Sequence, residues 1–449
     1  MSSASSIATD TAWTALTAVL LMFMHAGFGF YEAGMCRYKN AVDTLAHNLV
    51  ILAITLVVFW AAGFALGFGN GHPLMGLVGF FPDLDDAGWS SFRALQEGRH
   101  VPLAVAFAFA LSLADTPATL IAGTGAERIR LGAVIVLTLL MSTLMFPVAA
   151  HWVVGGGWLA RRGTPMVDTG SGFVHLTGGF SALAVALALG PRRGRFAPGR
   201  RVTDPIPPHA MPMVFLGVFI LWLGFFAYNA GFAMTVNGSI GLVIANTALA
   251  GGFGSVTAMA CAYGASRGGY ARLRPTMVGL LTANVAITAA PAVVAPWAAA
   301  CIGTLAGAAA VGSMSLWARL RVDDPTEYLT MNLVGGALGL LTTGLFASPA
   351  IARRSHEAEV PAAGLIYGSG ELLLSQCIGA LAIGAFAFTT VGLASLALRR
   401  KGKLRAPPRE EDQGADRSTH GEAAQDHSSG PGGRFEHEPR HARAADRAD

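Results

Sequence analysis

Phe173-Val174-His175-Leu176-Thr177-Gly178-Gly179 opens an apolar run, residues 173–189 (FVHLTGGFSALAVALAL), that contains no Asp, Glu, Lys or Arg. The run is long enough to cross a bilayer as a helix, and His175 is its one titratable group. A polar group at membrane depth costs several kcal/mol unless something there uses it, so an intramembrane imidazole points to a pore or a partner. The stretch has an echo: Met331-Asn332-Leu333-Val334-Gly335-Gly336 repeats its form with asparagine in place of histidine.

Composition agrees with a membrane protein. Of 449 residues 53% are hydrophobic and 13% charged, whereas a soluble domain carries about 25% charged. The 56 glycines are scattered through the apolar runs, as in helices that pack backbone to backbone in lipid. A net charge of +4 spread over such a chain gives no reason to expect a nucleic-acid partner. Cys36, Cys261, Cys301 and Cys377 stand singly, without metal-ligand spacing or a disulfide framework. No cofactor or metal is expected. Catalysis is not expected either, because no nucleophile, paired carboxylate or ligand cluster stands at working spacing.

Eleven apolar runs are candidate spans: 11–31, 45–68, 101–122, 131–153, 172–189, 211–232, 239–263, 276–293, 295–317, 330–346 and 372–398. The N-terminus lacks the basic region of a secretory signal, so the first run is expected to be retained. Lys and Arg alternate strictly between the connections. Those on one side, with the segment after the last span, hold 19, and those on the other hold 6. The positive-inside bias therefore predicts an odd number of spans with the N-terminus outside and the C-terminus cytoplasmic. The fold expected is an all-α polytopic membrane domain over residues 1–398. Residues 399–449 turn polar and charged without an apolar period, and a disordered cytoplasmic tail is predicted there.

A second echo orders the helices. GFGFYEAG (27–34) in the first span matches GFFAYNAG (224–231) in the sixth, while the histidine and asparagine stretches fall in the fifth and tenth. Spans one to five thus pair with six to ten. Because five is odd, the second half enters the membrane upside down, and the expected architecture is an inverted 5+5 repeat plus a final helix.

In order along the chain, DTAW (10–13), FYEAGMCRYKN (30–40), AERIR (126–130), AHWVVGGGWLA (150–160), DTGSGFVHLTGG (168–179), GPRRGRF (190–196), PHAMP (208–212), YNAG (228–231), ANTALA (245–250), AITA (286–289), PW (296–297), DDP (323–325) and TGLFA (343–347) resemble the ammonium transporter family (Amt/Mep, distantly Rh). The resemblance implies ammonium or ammonia transport through one hydrophobic pore per subunit of a homotrimer. It also implies a PII-type regulator at the cytoplasmic face. On it, His175 matches the first of two hydrogen-bonded pore histidines and Asn332 stands where the second is expected. Asparagine can fix the tautomer of His175 but carries no titratable proton.

Other positions also depart from the family. Two gating phenylalanines map to Leu113 and Tyr228, and the outer tryptophan and serine that gather the cation map to Val154 and Phe232. Tyr31, Tyr228 and Phe232 are then candidates for a replacement cation-attracting face, with ordinary helix packing as the alternative. Asp168 matches an aspartate that structures the recruitment site, and equally reads as a helix cap. His151 reads as structural, and Glu127 with Arg128 as an ion pair. The leading expectation is transport past Tyr228, His175 and Asn332. The alternatives are a non-conducting ammonium receptor of the same fold and a Rh-like gas channel.

Overall fold

The computed structural model describes residues 3–97, 99–199, 201–266, 272–355 and 363–424. Among them ten helices are long and apolar enough to cross a membrane. These are α1 (Ser5–Met35), α2 (Tyr38–Phe68), α3 (Leu103–Gly125), α4 (Leu131–Val153), α5 (Ser171–Leu189), α6 (Met211–Gly231), α7 (Ile240–Ala265), α9 (Pro296–Arg319), α10 (Leu329–Phe346) and α11 (Glu371–Arg400). The shorter apolar helix α8 (Leu273–Ile287) makes eleven. It stops before the predicted residue 293, because a buried connection leads from it into α9. Asn246 of α7 holds that connection, donating to the Pro291 and Val294 carbonyls at 2.8 and 2.9 Å.

Two helix crossings, built on glycine, organise the halves. Where α1 meets α6, a Cβ on Gly27 would lie 3.0 Å from the Leu221 nitrogen, and one on Gly217 would lie 2.4 Å from the Tyr31 nitrogen. Where α5 meets α10, a Cβ on Gly179 would lie 2.6 Å from the Leu333 nitrogen, and one on Gly336 3.1 Å from the Leu176 nitrogen. Each glycine of the second crossing sits four residues past its polar residue, His175 or Asn332, and packs on the residue following the other. That reciprocity is what a two-fold axis in the membrane plane produces. Such close approach is also how helices associate in lipid, where apolar burial gives no drive.

The face bearing the arginine-rich connections, the basic face, differs from expectation after residue 398. Residues 399–424 are folded against it. Ala406 N–H donates to the Arg128 carbonyl at 2.8 Å and Arg130 N–H to the Leu404 carbonyl at 3.1 Å. A one-turn helix, α12 (Pro408–Gln413), buries Glu411, which accepts from Arg193 N–H at 2.7 Å and Arg405 Nη2 at 2.8 Å. Asp416 then accepts the Asp43 N–H at 2.8 Å near the start of α2. Backbone pairing and charge hold most of this segment, with Leu404 alone buried in the apolar core, so an apolar period gives no sign of it. The rest of the predicted tail, 425–449, lies outside the described residues.

The same face corrects another expectation. Glu127 and Arg128 do not pair with each other. Glu127 stands at φ +69° and meets Arg37 and Arg192. The Arg128 guanidinium instead donates to the Thr124, Ala126, Gly190 and Asp323 carbonyls. Arg192 bridges on to Asp323 at 2.8 Å. Burial alone would raise Glu127 and Asp323, but Arg192 more than offsets it, helped by Arg37 and Arg128, and holds both carboxyls below their ordinary range. At the other end His151 ties α4 to the end of α2 and to the Gly71–His72 strand, through the Gly67 and His72 carbonyls at 3.1 and 3.0 Å.

Candidate conduction pathway

Both polar residues of the echo sit in wide π-turns that open their helices, Ser171–Leu176 and Leu329–Val334. Such turns widen the backbone ring by one residue and often mark functional positions. An aspartate caps each turn from the preceding loop. Asp168 accepts the N–H groups of Gly170, Gly172 and Phe173 at 3.0, 2.9 and 3.0 Å. Asp324 accepts those of Thr326 and Leu329 at 3.2 and 2.7 Å. Burial pushes both carboxyls up to about 7, against the pull of these N–H groups, with Glu327 adding to the effect at Asp324. The cap reading of Asp168 is therefore its observed role, and Asp324 is its counterpart in the other half.

The two turns bring His175 and Asn332 together. Asn332 donates through Nδ2 to the Tyr328 carbonyl at 3.2 Å, which turns its Oδ1 toward the imidazole. His175 Nδ1 lies 2.8 Å from that oxygen. An amide oxygen only accepts, so the proton is on Nδ1 and the lone pair is on Nε2. Nε2 is buried and has no hydrogen-bond partner among the described residues. His175 is 1% and Asn332 4% exposed, so bulk water does not supply the missing bond. Phe225 and Tyr228 from α6 cover the ring at centroid distances of 5.6 and 6.1 Å. The Tyr228 hydroxyl is likewise buried without a partner. It fits only because residue 170 is glycine, at φ +149°, where a Cβ would come within 1.7 Å of the hydroxyl oxygen.

Toward the face opposite the basic one, Leu113, Val154 and Phe232 meet. With Phe109, Phe173, Met234 and Arg99 they line a cavity of about 20 Å³. One water-sized molecule needs roughly 10–15 Å³ of such volume, so the mouth holds about one. Phe232 forms part of its wall, its ring 6.2 Å from Phe173 and 6.5 Å from Phe109 and from Tyr228. The sequence reading missed Arg99, whose Nη1 donates to the Leu95 carbonyl at 2.9 Å. It lies in a connection rather than a span, and nothing local marks it as bordering the mouth.

Tyr31 is elsewhere. Its hydroxyl donates to the Thr326 carbonyl at 2.7 Å and its ring stacks on Tyr328 at 5.8 Å, on the basic-face side of Asn332. The inverted repeat explains the difference. Tyr31 is the counterpart of Tyr228, so the symmetry that places one at the mouth places the other at the opposite end. Tyr228 and Phe232 therefore share the mouth without Tyr31.

Two five-helix halves of opposite sense, meeting at one dry imidazole–amide pair, define a repeat-built membrane conduit. The chain belongs to the ammonium transporter family, whose model, Ammonium Transporter Family, it matches over residues 12–425. It is 33% identical over 426 residues to the Ammonium transporter Amt2 of Archaeoglobus fulgidus, covering 92% of this chain and 88% of that protein. Among solved structures it is similar to a Sensor Amt Protein, at 30% identity and a TM-score of 0.82, covering 92% of this chain and 98% of that one. It is also similar to Mep2 from Candida albicans, at 27% identity and a TM-score of 0.80, covering 89% and 87%.

Proposed function

We propose that this protein carries ammonium nitrogen across the membrane as ammonia, with His175 Nε2 as the acceptor at mid-path. The bare, buried Nε2 supports this reading above all. A buried acceptor without a donor is unfavourable by about 1–3 kcal/mol, and ammonia, with three N–H donors, relieves it in passing. Ammonium itself would shed its hydration shell into low dielectric, at a cost on the order of 20 kcal/mol in the idealised limit. Splitting off a proton first avoids most of that. Tyr228 and Phe232 offer aromatic faces to the cation before it is split, worth about 0.5–2 kcal/mol. Leu113 and Val154 complete the apolar wall.

The basic face is assigned to the cytoplasm by the positive-inside bias. The working assembly is a homotrimer in which each subunit has its own pathway, and a PII-type regulator would meet the cytoplasmic face. Reconstituted protein is the test. Labelled methylammonium uptake and current that His175→Ala lowers about tenfold, in a variant that still folds, support transport; absence of both from the unaltered protein overturns it.

One observation favours a second reading, a non-conducting receptor. The mouth has room for about one water-sized molecule and is bordered by the Arg99 side chain, whose positive charge opposes a cation. Ammonium-dependent stabilisation without uptake would select the receptor. Uptake that tracks ammonia at every pH, without current, would select the gas route.

A further inference from the structure

Beside the mouth, on the face opposite the basic one, opens a second cavity of about 1060 Å³ that the His175 pathway does not use. Three arginines line it, Arg93 and Arg99 from the α2–α3 connection and Arg161 from the α4–α5 connection, against one acid, Glu97. Three of the six Lys and Arg that the sequence gives to this side therefore stand around one space. The positive-inside bias accounts for a face poor in basic residues, and it gives no reason to gather those that remain. The ion pairs found among the described residues involve neither Arg93 nor Arg161.

The backbone around the arginines is fixed. Asn70, just past α2, accepts the Arg93 N–H at 3.1 Å and donates to the Ser90 carbonyl at 2.8 Å, which ties down the one-turn helix Arg93–Gln96. Arg99 Nη1 is held by the Leu95 carbonyl of that same helix. Gly156 stands at φ +83°, where a Cβ would lie 2.9 Å from the Ala94 Cβ and 3.6 Å from Arg161 Nη2. The Arg161 guanidinium is thus set against the segment that carries Arg93. A guanidinium forks onto two oxygens of a carboxylate or phosphate, so three around one space suit a ligand with several anionic oxygens. Among the described residues that line the cavity only Ala94 and Ala160 have apolar side chains. An acyl chain has no seat there, and a water-soluble anion does. Arg99 also lines the mouth cavity, so one side chain belongs to both spaces.

We propose that Arg93, Arg99 and Arg161 bind a free, multivalent oxyanion of the phosphate class in this cavity, and that the bound anion opens the mouth to ammonium by offsetting the charge of Arg99. The inference rests on the reading that ammonium enters at the mouth. Without the anion the Arg99 guanidinium repels a cation arriving there. With it, the repelling charge is paired and the local potential turns toward attraction. One unit charge at close range in water changes the occupancy of a cation about fivefold. The cavity then makes uptake depend on an anion at the same face.

Inorganic phosphate is the probe, compared with chloride at equal ionic strength so that screening is the same. Titration calorimetry on the full chain in neutral detergent reads binding, and labelled methylammonium uptake into phosphatidylcholine proteoliposomes reads the coupling. The unaltered protein should bind phosphate, and phosphate should lower its half-saturating methylammonium concentration about fivefold. Arg93→Gln and Arg161→Gln, both at exposed positions, should each weaken phosphate binding by about tenfold or more and lose the response; should one fail to fold, the other carries the test. Arg99→Gln should lose the response and show the lower half-saturating value with chloride alone. Equal heats for phosphate and chloride, or phosphate binding unchanged in the folded variants, overturn the site. Phosphate binding that leaves uptake unmoved overturns the coupling, and a response to phosphatidylglycerol in the vesicles but not to phosphate overturns the free anion. Absence of uptake from the unaltered protein overturns transport instead, and phosphate binding lost in Arg93→Gln and Arg161→Gln would still support the site.

Discussion

The loop and π-turn that lead into α5 and those that lead into α10 are two copies of one device facing each other across the pathway. In each an aspartate, Asp168 or Asp324, caps the turn. In each a tyrosine from the other half, Tyr228 or Tyr31, brings its hydroxyl to the residue two past the aspartate. In each a glycine, Gly179 or Gly336, packs on the backbone after the opposite polar residue. Yet the copy at α10 is saturated: Tyr31 bonds the Thr326 carbonyl, and Asn332 uses both its oxygen and its nitrogen. The copy at α5 leaves His175 Nε2 and the Tyr228 hydroxyl bare. The symmetry thus builds the frame, and its incompleteness on one side makes room for a substrate.

The saturated copy should be the structural anchor, and the sharpest way to break that claim is Arg192→Gln. Arg192 neutralises buried Glu127 and, through Asp323, steadies the loop that carries Asp324. Its loss leaves Glu127 with Arg37 alone and Asp323 with Arg195 at 3.5 Å, so unfolding in detergent should become easier by up to about 3–5 kcal/mol, the figure for a buried pair broken outright. A change near zero would mean the lock contributes nothing to the frame. Acid probes the same place. Glu127 and Asp323 are held below their ordinary values, so the stability they contribute is full above about pH 4 and is lost as pH falls through their depressed values. A thermal unfolding series from neutral pH downward should show its steepest decline there, and Arg192→Gln should flatten it.

The caps compare the two copies directly. Asp168→Ala and Asp324→Ala each strip the acceptor from a helix start, at about 0.5–2 kcal/mol apiece. Similar losses sustain the equivalence of the two turns, and a loss at only one of them breaks it. Function should separate where stability does not. His175→Ala removes the bare acceptor and strands the Asn332 oxygen, so uptake should fall by roughly tenfold, the equivalent of about 1.4 kcal/mol for one hydrogen bond. Asp324→Ala, measured beside it, should reduce uptake less.

The frame was legible in the sequence because it is written in long apolar runs and in two short echoes whose order survives. The expectation that His175 meets Asn332 followed from them, whereas Leu113, Val154 and Phe232 were singled out only by the family resemblance. What was misread depends on contacts between distant segments. Tyr31 resembles Tyr228 in its local sequence, but the inversion that makes them counterparts sends them to opposite ends. Glu127 and Arg128 are adjacent, but a left-handed residue points the carboxylate to Arg192 and Arg37. The segment 399–424 docks through backbone pairing and charge. Glu32 sat in a quoted motif without drawing attention, because only the fold brings Asn48 and Tyr328 to its two oxygens.

Asn332→His has the smallest expected effect and bears most directly on the asymmetry. A second imidazole would give up the bond to the Tyr328 carbonyl and would no longer hold His175 in a single tautomer. Either ring nitrogen of His175 could then be the bare one. One hydrogen bond's worth of change, about 0.5–1 kcal/mol, corresponds to a roughly twofold to fivefold change in uptake, and the direction expected is upward. The charge carried per methylammonium is the more telling quantity. If the ratio is the same in Asn332→His as in the unaltered protein, residue 332 does not decide how the proton crosses. If the ratio instead rises from zero in Asn332→His, the asparagine alone had been blocking the proton, and the unaltered pathway is a conduit for ammonia only.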